Sequence, residues 1–80
     1  MTRYEKIHKN VINDVFILYD YIETIFHKID NGGKMTENEF KTCSILYDIS
    51  FDDDVQNLLS NECIDDDVYY MFDYIINNQN

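Results

Sequence analysis

The sequence predicts an all-α fold of four helices in a single domain, residues 1–80. Apolar side chains recur at steps of three and four residues, the spacing that places them on one face of a helix. Two Thr-x-x-Glu sequences, Thr2–Glu5 and Thr36–Glu39, have the capping-box pattern that starts helices. The chain has no proline and only two glycines, so few positions would interrupt a helix. A chain of this length supports one small hydrophobic core.

The first predicted helix is long and amphipathic. It follows the Thr2 cap and ends at the glycine pair Gly32–Gly33, the strongest turn signal in the sequence. Between Tyr4 and Ile29 it would extend over about 39 Å at 1.5 Å per residue, which is longer than the usual globular helix and leaves a bend open as an alternative. Its apolar stripe comprises Tyr4, Ile7, Val11, Val15, Leu18, Ile22, Ile25 and Ile29.

Three shorter helices are predicted to follow. The second begins at the Thr36 cap and buries Phe40 and Cys43, with Leu46 or Tyr47. The third is capped by Ser50 and carries three aspartates in its first turn. The fourth begins with a second aspartate triplet, which would supply its cap. Residues 77–80 are expected to fray. The apolar residues assigned to the third and fourth helices are Phe51, Val55, Leu58, Leu59, Val68, Tyr69, Phe72, Ile75 and Ile76.

The net charge of −10 excludes direct binding to nucleic-acid phosphates, which requires a basic surface. It also disfavours an anionic membrane surface. Residues 1–41 contain all six basic side chains and carry −1, whereas residues 42–80 carry −9 with no Lys or Arg. A basic protein partner is therefore the expected complement of the second half.

The two cysteines, Cys43 and Cys63, do not have the spacing of a zinc site, and reduced thiols are favoured over a disulfide. The sequence shows no signal-peptide pattern and no apolar run of about 20 residues, the length of a membrane span. These features together predict a cytoplasmic protein.

The segment Gly33–Phe40 resembles the second half of an EF-hand loop, in which a glycine makes the sharp turn and a glutamate closes the loop. The matching residues are Gly33, Met35, Thr36, Glu39 and Phe40, at loop positions 6, 8, 9, 12 and the residue after the loop. Ile64 resembles the strand residue of a second loop. The resemblance covers essentially the whole chain and implies an EF-hand-like pair, similar to one lobe of a calmodulin or myosin light chain. It also implies that Met35 and Ile64 pair in a short antiparallel bridge, and the chain could be one lobe of a longer protein.

The first loop departs from the family at its ligand positions. Loop position 1 is Lys28, whose ammonium would repel a cation, and position 5 is Gly32, which has no side-chain oxygen. The second loop, residues 61–67, is too short to surround an ion. The aspartate triplets coincide with helix starts, where the helix dipole favours anions. We therefore expect no bound calcium, other metal or cofactor.

The resemblance implies a calcium-independent binding subunit, similar to a light chain, that clasps a basic amphipathic helix of a partner protein. Such recognition needs an apolar trough with an acidic rim. The trough candidates are Phe16, Phe26, Met35, Phe40, Met71, Phe72 and Ile75. The rim candidates are Asp48, Asp52, Asp53, Asp54 and Glu62. Every trough residue is equally suited to core packing, because a domain this small needs most of its large apolar side chains to fold.

An alternative function belongs to a different class. A small, acidic, helical protein could occupy the basic groove of a target, as a nucleic-acid mimic, a phage anti-defence protein or an immunity-type protein. The near-heptad spacing of the first helix also suits a homodimer. An enzyme is not expected, because His8 and His27 have no nucleophile placed with them by a motif and the glycine pair is not a phosphate-binding loop.

Overall fold

A computed structural model describes residues 1–78 of the chain and shows five α-helices. They are α1 (Arg3–Asn13), α2 (Phe16–Asp30), α3 (Glu37–Ser50), α4 (Asp53–Asn61) and α5 (Asp65–Asn77). No strand occurs among the described residues. The all-α prediction is confirmed, but the predicted number of four helices is wrong. The fraying predicted for residues 77–80 lies partly outside the described residues; Asn77 itself is the last residue of α5.

The predicted long first helix is in fact two helices, and the break lies at Asp14. This residue is extended, with φ −153° and ψ 100°, and its carboxylate accepts a hydrogen bond from the Phe16 N–H at 3.0 Å. The apolar stripe stays in register across the break, since Val11, Val15 and Leu18 are all buried. A straight helix of about 39 Å would exceed the longest dimension of the fold, 33 Å. The break allows the stripe to follow a core of this size.

Two of the four predicted helix caps are formed, at Thr2 and Thr36. The cap predicted from the second aspartate triplet is wrong, because Ile64 precedes α5 without a side-chain cap and the three aspartates lie in its first turn. Thr36 and Glu39 form the predicted capping box, with hydrogen bonds of 3.2 and 2.8 Å between side chains and backbone N–H groups. The cap assigned to Ser50 is wrong, because α4 is capped by Asp52, whose carboxylate accepts from the Asp54 N–H at 3.0 Å. Ser50 is instead the buried last residue of α3, and its hydroxyl donates to the Tyr47 carbonyl at 2.6 Å.

Two helices end in the same kind of turn. After α2, Gly32 adopts a positive φ of 89° and the Gly33 N–H donates to the Lys28 carbonyl at 2.8 Å. After α4, Cys63 takes the equivalent position with φ 58°, and the Ile64 N–H donates to the carbonyl five residues earlier at 3.1 Å. The first turn also excludes a side chain at Gly33, because a Cβ there would lie 2.9 Å from the Lys28 carbonyl oxygen.

The predicted antiparallel bridge between Met35 and Ile64 is not formed; both residues are irregular backbone, and the described part of the chain has no bridge. The Ile64 N–H is used instead in the turn that ends α4, where it donates to the Leu59 carbonyl. The turns after α2 and α4 therefore close on their own helices rather than pairing with each other.

The core forms where α2 packs most extensively on α5 and where α1 packs against α3 and α4. Cys43 and Leu46 are buried as predicted, whereas the predicted burial of Phe40 is wrong, since 47% of it is exposed. None of the described helices is long and apolar enough to cross a membrane. The core residues are Val11, Val15, Leu18, Ile22, Ile25, Cys43, Leu46, Ile49, Val55, Leu59, Val68, Met71, Phe72 and Ile75.

Candidate functional site

An open apolar depression, the α3–α5 groove, lies between α3, α5 and the α2–α3 turn. It consists of two adjoining clefts of about 280 and 80 Å³, which share Met35 and Phe40 as a common wall. The larger cleft is lined by Ile29, Gly33, Lys34, Met35, Thr36, Glu37, Phe40 and Asn78. The smaller cleft is lined by Met35, Phe40, Cys43, Ser44, Tyr47, Phe72, Ile75 and Ile76.

Helical periodicity explains how two helices line this groove. On α3, Phe40, Cys43 and Tyr47 are separated by three and four residues, so they share one face. On α5, Phe72 and Ile75 are likewise one turn apart. Because α2 packs against both α3 and α5, these two helices do not close on each other, and the space between them stays open.

A short ion pair secures the turn that carries Met35. Lys28 Nζ lies 2.7 Å from Glu39 Oε1, which also accepts the Thr36 N–H at 2.8 Å. These contacts, with the hydrogen bond from Lys28 first, lower the pKa of the Glu39 carboxyl from its usual value of 4.5. Lys28 and Glu39 are the residues that the EF-hand resemblance places at the first and last loop positions.

Stability should depend on pH through Glu39. Because its pKa is lowered in the folded state, its stabilising contribution is fully present above 4.5 and is lost as the pH falls through the lower, folded value. We expect Glu39→Gln to remove this part of the acid destabilisation, as measured by urea denaturation between neutral pH and about pH 3. Glu37→Gln, in the same helical turn, is the matched control and should keep it. If Glu39→Gln loses as much stability between neutral pH and about pH 3 as the wild type does, the pH dependence does not come from Glu39.

A cluster of aromatic side chains lies between the groove residues Tyr47 and Phe72 and the end of α3. The ring of Tyr47 lies 5.3 Å from Phe72 and 5.0 Å from Phe51, which in turn lies 5.8 Å from Tyr69. The Tyr69 hydroxyl donates to the Ser50 carbonyl at 2.7 Å and so ties α5 to the end of α3. Phe51 is 51% exposed and follows the end of α3, whereas it was predicted to lie within the third helix. Phe51 follows Tyr47 by four residues, a spacing that brings two side chains together on one helix face, and this spacing could have predicted the contact between the two rings.

The cysteine on the groove floor, Cys43, is a buried thiol. Burial raises the pKa of the Cys43 thiol to about 11, so the thiol stays protonated at neutral pH. Both cysteines are free, and Cys63 is exposed at the end of α4. Among residues 1–78, no cluster of three or more His, Cys, Asp or Glu side chains could hold a metal ion.

The structure brings together four of the seven predicted trough residues: Met35, Phe40, Phe72 and Ile75. The other three do not line the groove. Phe16 is exposed at the start of α2, Phe26 packs against the rings of Tyr74 and Tyr70 at 4.8 and 6.1 Å, and Met71 is in the core. Three further groove residues were not predicted for binding: Tyr47, Ile76 and Lys34. The direction in which Tyr47 and Ile76 face depends on how α3 and α5 are oriented, and the position of Lys34 depends on the path of the α2–α3 turn.

The predicted acidic rim is only partly beside the groove. Asp48 is exposed on α3, one position after the groove residue Tyr47. Asp52, Asp53 and Asp54 lie at the start of α4, and Glu62 follows its end; none of these four lines either cleft. The three aspartates instead stabilise the start of α4, where Asp52 is the cap and Asp53 and Asp54 lie in the first turn.

Comparison with protein-family models, curated proteins and solved structures finds no match for this chain.

Proposed function

We propose that this protein is a calcium-independent binding module, light-chain-like in its mode of action, whose α3–α5 groove holds a basic amphipathic helix of a partner protein. The observation that carries the proposal is the groove itself: an apolar floor of Cys43, Phe72 and Ile75 beneath a Phe40 side chain that is 47% exposed. A large aromatic side chain left half exposed beside an apolar cleft is typical of a binding surface.

The dimensions suit a short helix. From Phe40 to Tyr47 the groove face of α3 extends over about 10 Å, or two helical turns. A partner helix of this length presents apolar anchors at i, i+4 and i+7 to such a surface. The larger cleft would take a bulky anchor and the smaller cleft a shorter one. Met35, which lines both clefts, can adjust its flexible side chain to the occupant.

The charges around the groove favour a basic occupant. Asp48 flanks it on α3, and Asp73, exposed next to Phe72, flanks it on α5. Two nearby lysines already have acidic partners: Lys28 pairs with Glu39, and Lys41 lies 3.2 Å from Glu37. A third, Lys34, lines the larger cleft, so the preference for a basic occupant rests on Asp48 and Asp73 beside the smaller cleft. The contact of Lys28 with Glu39 also supports independence from calcium, since an ammonium group already engages the carboxylate at the last loop position.

The proposal is tested by titrating the labelled protein with a synthetic amphipathic peptide of about 18 residues, with leucines at i, i+4 and i+7 and lysines on the other face. NMR shift changes are expected at Phe40, Cys43 and Tyr47, and a peptide with glutamates in place of lysines should bind more weakly. Shift changes centred elsewhere, or equal affinity for both peptides, would overturn the proposal.

Phe40→Asp should weaken peptide binding at least about tenfold, because it places a charge in the apolar wall of both clefts. Ile17→Asp is the matched control, since Ile17 is equally exposed, at 47%, but lies on α2 outside the groove. Phe72→Ala and Met71→Ala are not suitable probes of binding, because both residues are buried and their loss would disturb the fold.

The alternative proposal is an inhibitor that presents carboxylates to a basic groove of its target. It is supported by the exposed Asp53, Asp54, Asp66 and Asp67 at the starts of α4 and α5, in a half of the chain without Lys or Arg. Under this proposal, exchanging these aspartates for asparagine abolishes inhibition, binding falls steeply with salt, and Phe40→Asp has little effect.

A further inference from the structure

Helix α1 differs in charge from everything it packs against. It contains three basic residues and one acid, for a net charge of +2, so the rest of the chain carries −12. Arg3 Nη2 donates to Thr42 Oγ1 on α3 at 2.7 Å, and His8 Nε2 lies 3.4 Å from the carboxylate of Asp52, which caps α4. Val11 is completely buried against the core. Thus α1 is a basic amphipathic helix seated on an acidic body.

A single extended residue separates α1 from α2. The Asp14 N–H still donates to the Asn10 carbonyl at 3.0 Å, as in a continuing helix, and Val15 already has helical angles of −64° and −21°. Only Asp14 departs from helical geometry, and its carboxylate stabilises the break through the Phe16 N–H. Because the apolar stripe is in register on both sides, rotation at Asp14 would produce one continuous amphipathic helix.

A continuous helix cannot stay within one copy of the fold. From Arg3 to Asp30 it would be about 42 Å long, against a largest dimension of 33 Å. Straightening would therefore lift α1 from its site on α3 and α4 and expose both Val11 and the core surface that it covers. This exposure is unfavourable unless another helix of the same shape and charge fills the vacated site.

We propose that Asp14 is a hinge through which two copies of this chain exchange α1 and form a closed two-fold dimer. The occupant of the vacated site is the α1 of the second copy, which brings the same Arg3–Thr42 and His8–Asp52 contacts and the same buried Val11. The charge complementarity between α1 and the body is preserved, now between chains. This inference does not depend on the proposed function, because α1 lies on α3 and α4 rather than in the α3–α5 groove.

The test is sedimentation velocity on Asp14→Ala over a concentration series. Alanine removes the carboxylate that stabilises the break and favours the continuous helix, so the dimer dissociation constant should fall at least about tenfold. Adding Val15→Pro should restore the monomer. The φ of Val15, −64°, and the extended Asp14 before it are both compatible with proline, whereas in a continuous helix proline at this position clashes with the preceding turn. Asp20→Ala, an exposed acid within α2, is the matched control and should not change the association.

Isotope-filtered NOEs in a mixture of labelled and unlabelled Asp14→Ala should connect Val11 of one copy with α4 of the other. If Asp14→Ala does not fold, the wild-type protein is refolded from denaturant at millimolar concentration, which should yield a dimer that Val15→Pro alone prevents. A strictly monomeric Asp14→Ala, a dimer that persists in Asp14→Ala/Val15→Pro, or a dimer without intermolecular α1 contacts would each overturn the proposal.

Discussion

Phe72→Ala is expected to lower the free energy of unfolding by about 3 kcal/mol. Phe72 is 2% exposed and its ring packs 5.3 Å from that of Tyr47. Removal of the ring costs its burial free energy and leaves a cavity that the surrounding helices fill only in part. The value lies at the low end for a buried phenylalanine, because the new space would open into the smaller cleft. For a domain of 80 residues this is a large fraction of a total stability of about 4–12 kcal/mol.

The measurement is the midpoint and slope of urea denaturation, followed by circular dichroism. Phe51→Ala is the matched control, because it removes the same ring from a position that is 51% exposed and should cost less than about 1 kcal/mol. Equal losses of stability in the two variants would contradict the assignment of Phe72 to the core and of Phe51 to the surface.

Gly32→Ala and Cys63→Gly are expected to change the free energy of unfolding in opposite directions. The two residues occupy equivalent left-handed positions in the turns after α2 and α4, and one substitution removes a glycine there while the other introduces one. Gly32 has φ 89° and Cys63 has φ 58°. A left-handed backbone costs a residue with a Cβ about 1–2 kcal/mol relative to glycine. Gly32→Ala should therefore destabilise by about 1 kcal/mol, and Cys63→Gly should stabilise by up to about 1 kcal/mol, partly offset by the greater freedom of glycine in the unfolded chain.

Thermal denaturation of both variants beside the wild type measures these shifts. Cys63→Ala separates loss of the thiol from the backbone effect, since alanine keeps the Cβ and should leave the melting temperature close to that of the wild type. If Cys63→Gly melts below the wild type, the strain attributed to the turn after α4 is not present.

The local features of this fold could be predicted from the sequence because they depend on residues three or four positions apart. The capping box at Thr36 is one case, and the turn at Gly32–Gly33 is another. Where two local signals competed, the prediction failed: Ser50 and Asp52 both suit a helix start, and the carboxylate of Asp52 forms the cap. The sequence also shows which residues are large and apolar, but not which of them remain exposed. All seven trough residues were predicted for binding on the same grounds. Four of them line the groove, namely Met35, Phe40, Phe72 and Ile75, and the other three, Phe16, Phe26 and Met71, lie outside it.

The helical class, most of the helix boundaries and the difference in charge between the two halves of the chain could be predicted from the residues alone. These properties follow from backbone hydrogen bonding, side-chain caps and ionisable groups, all of which act within a few residues. The packed fold was needed to show that the first helix breaks at Asp14, that Phe40 lies exposed, and that α3 and α5 leave a groove between them. Each of these depends on how much space the other helices occupy around the core, and the residue spacing within one helix carries no record of that space.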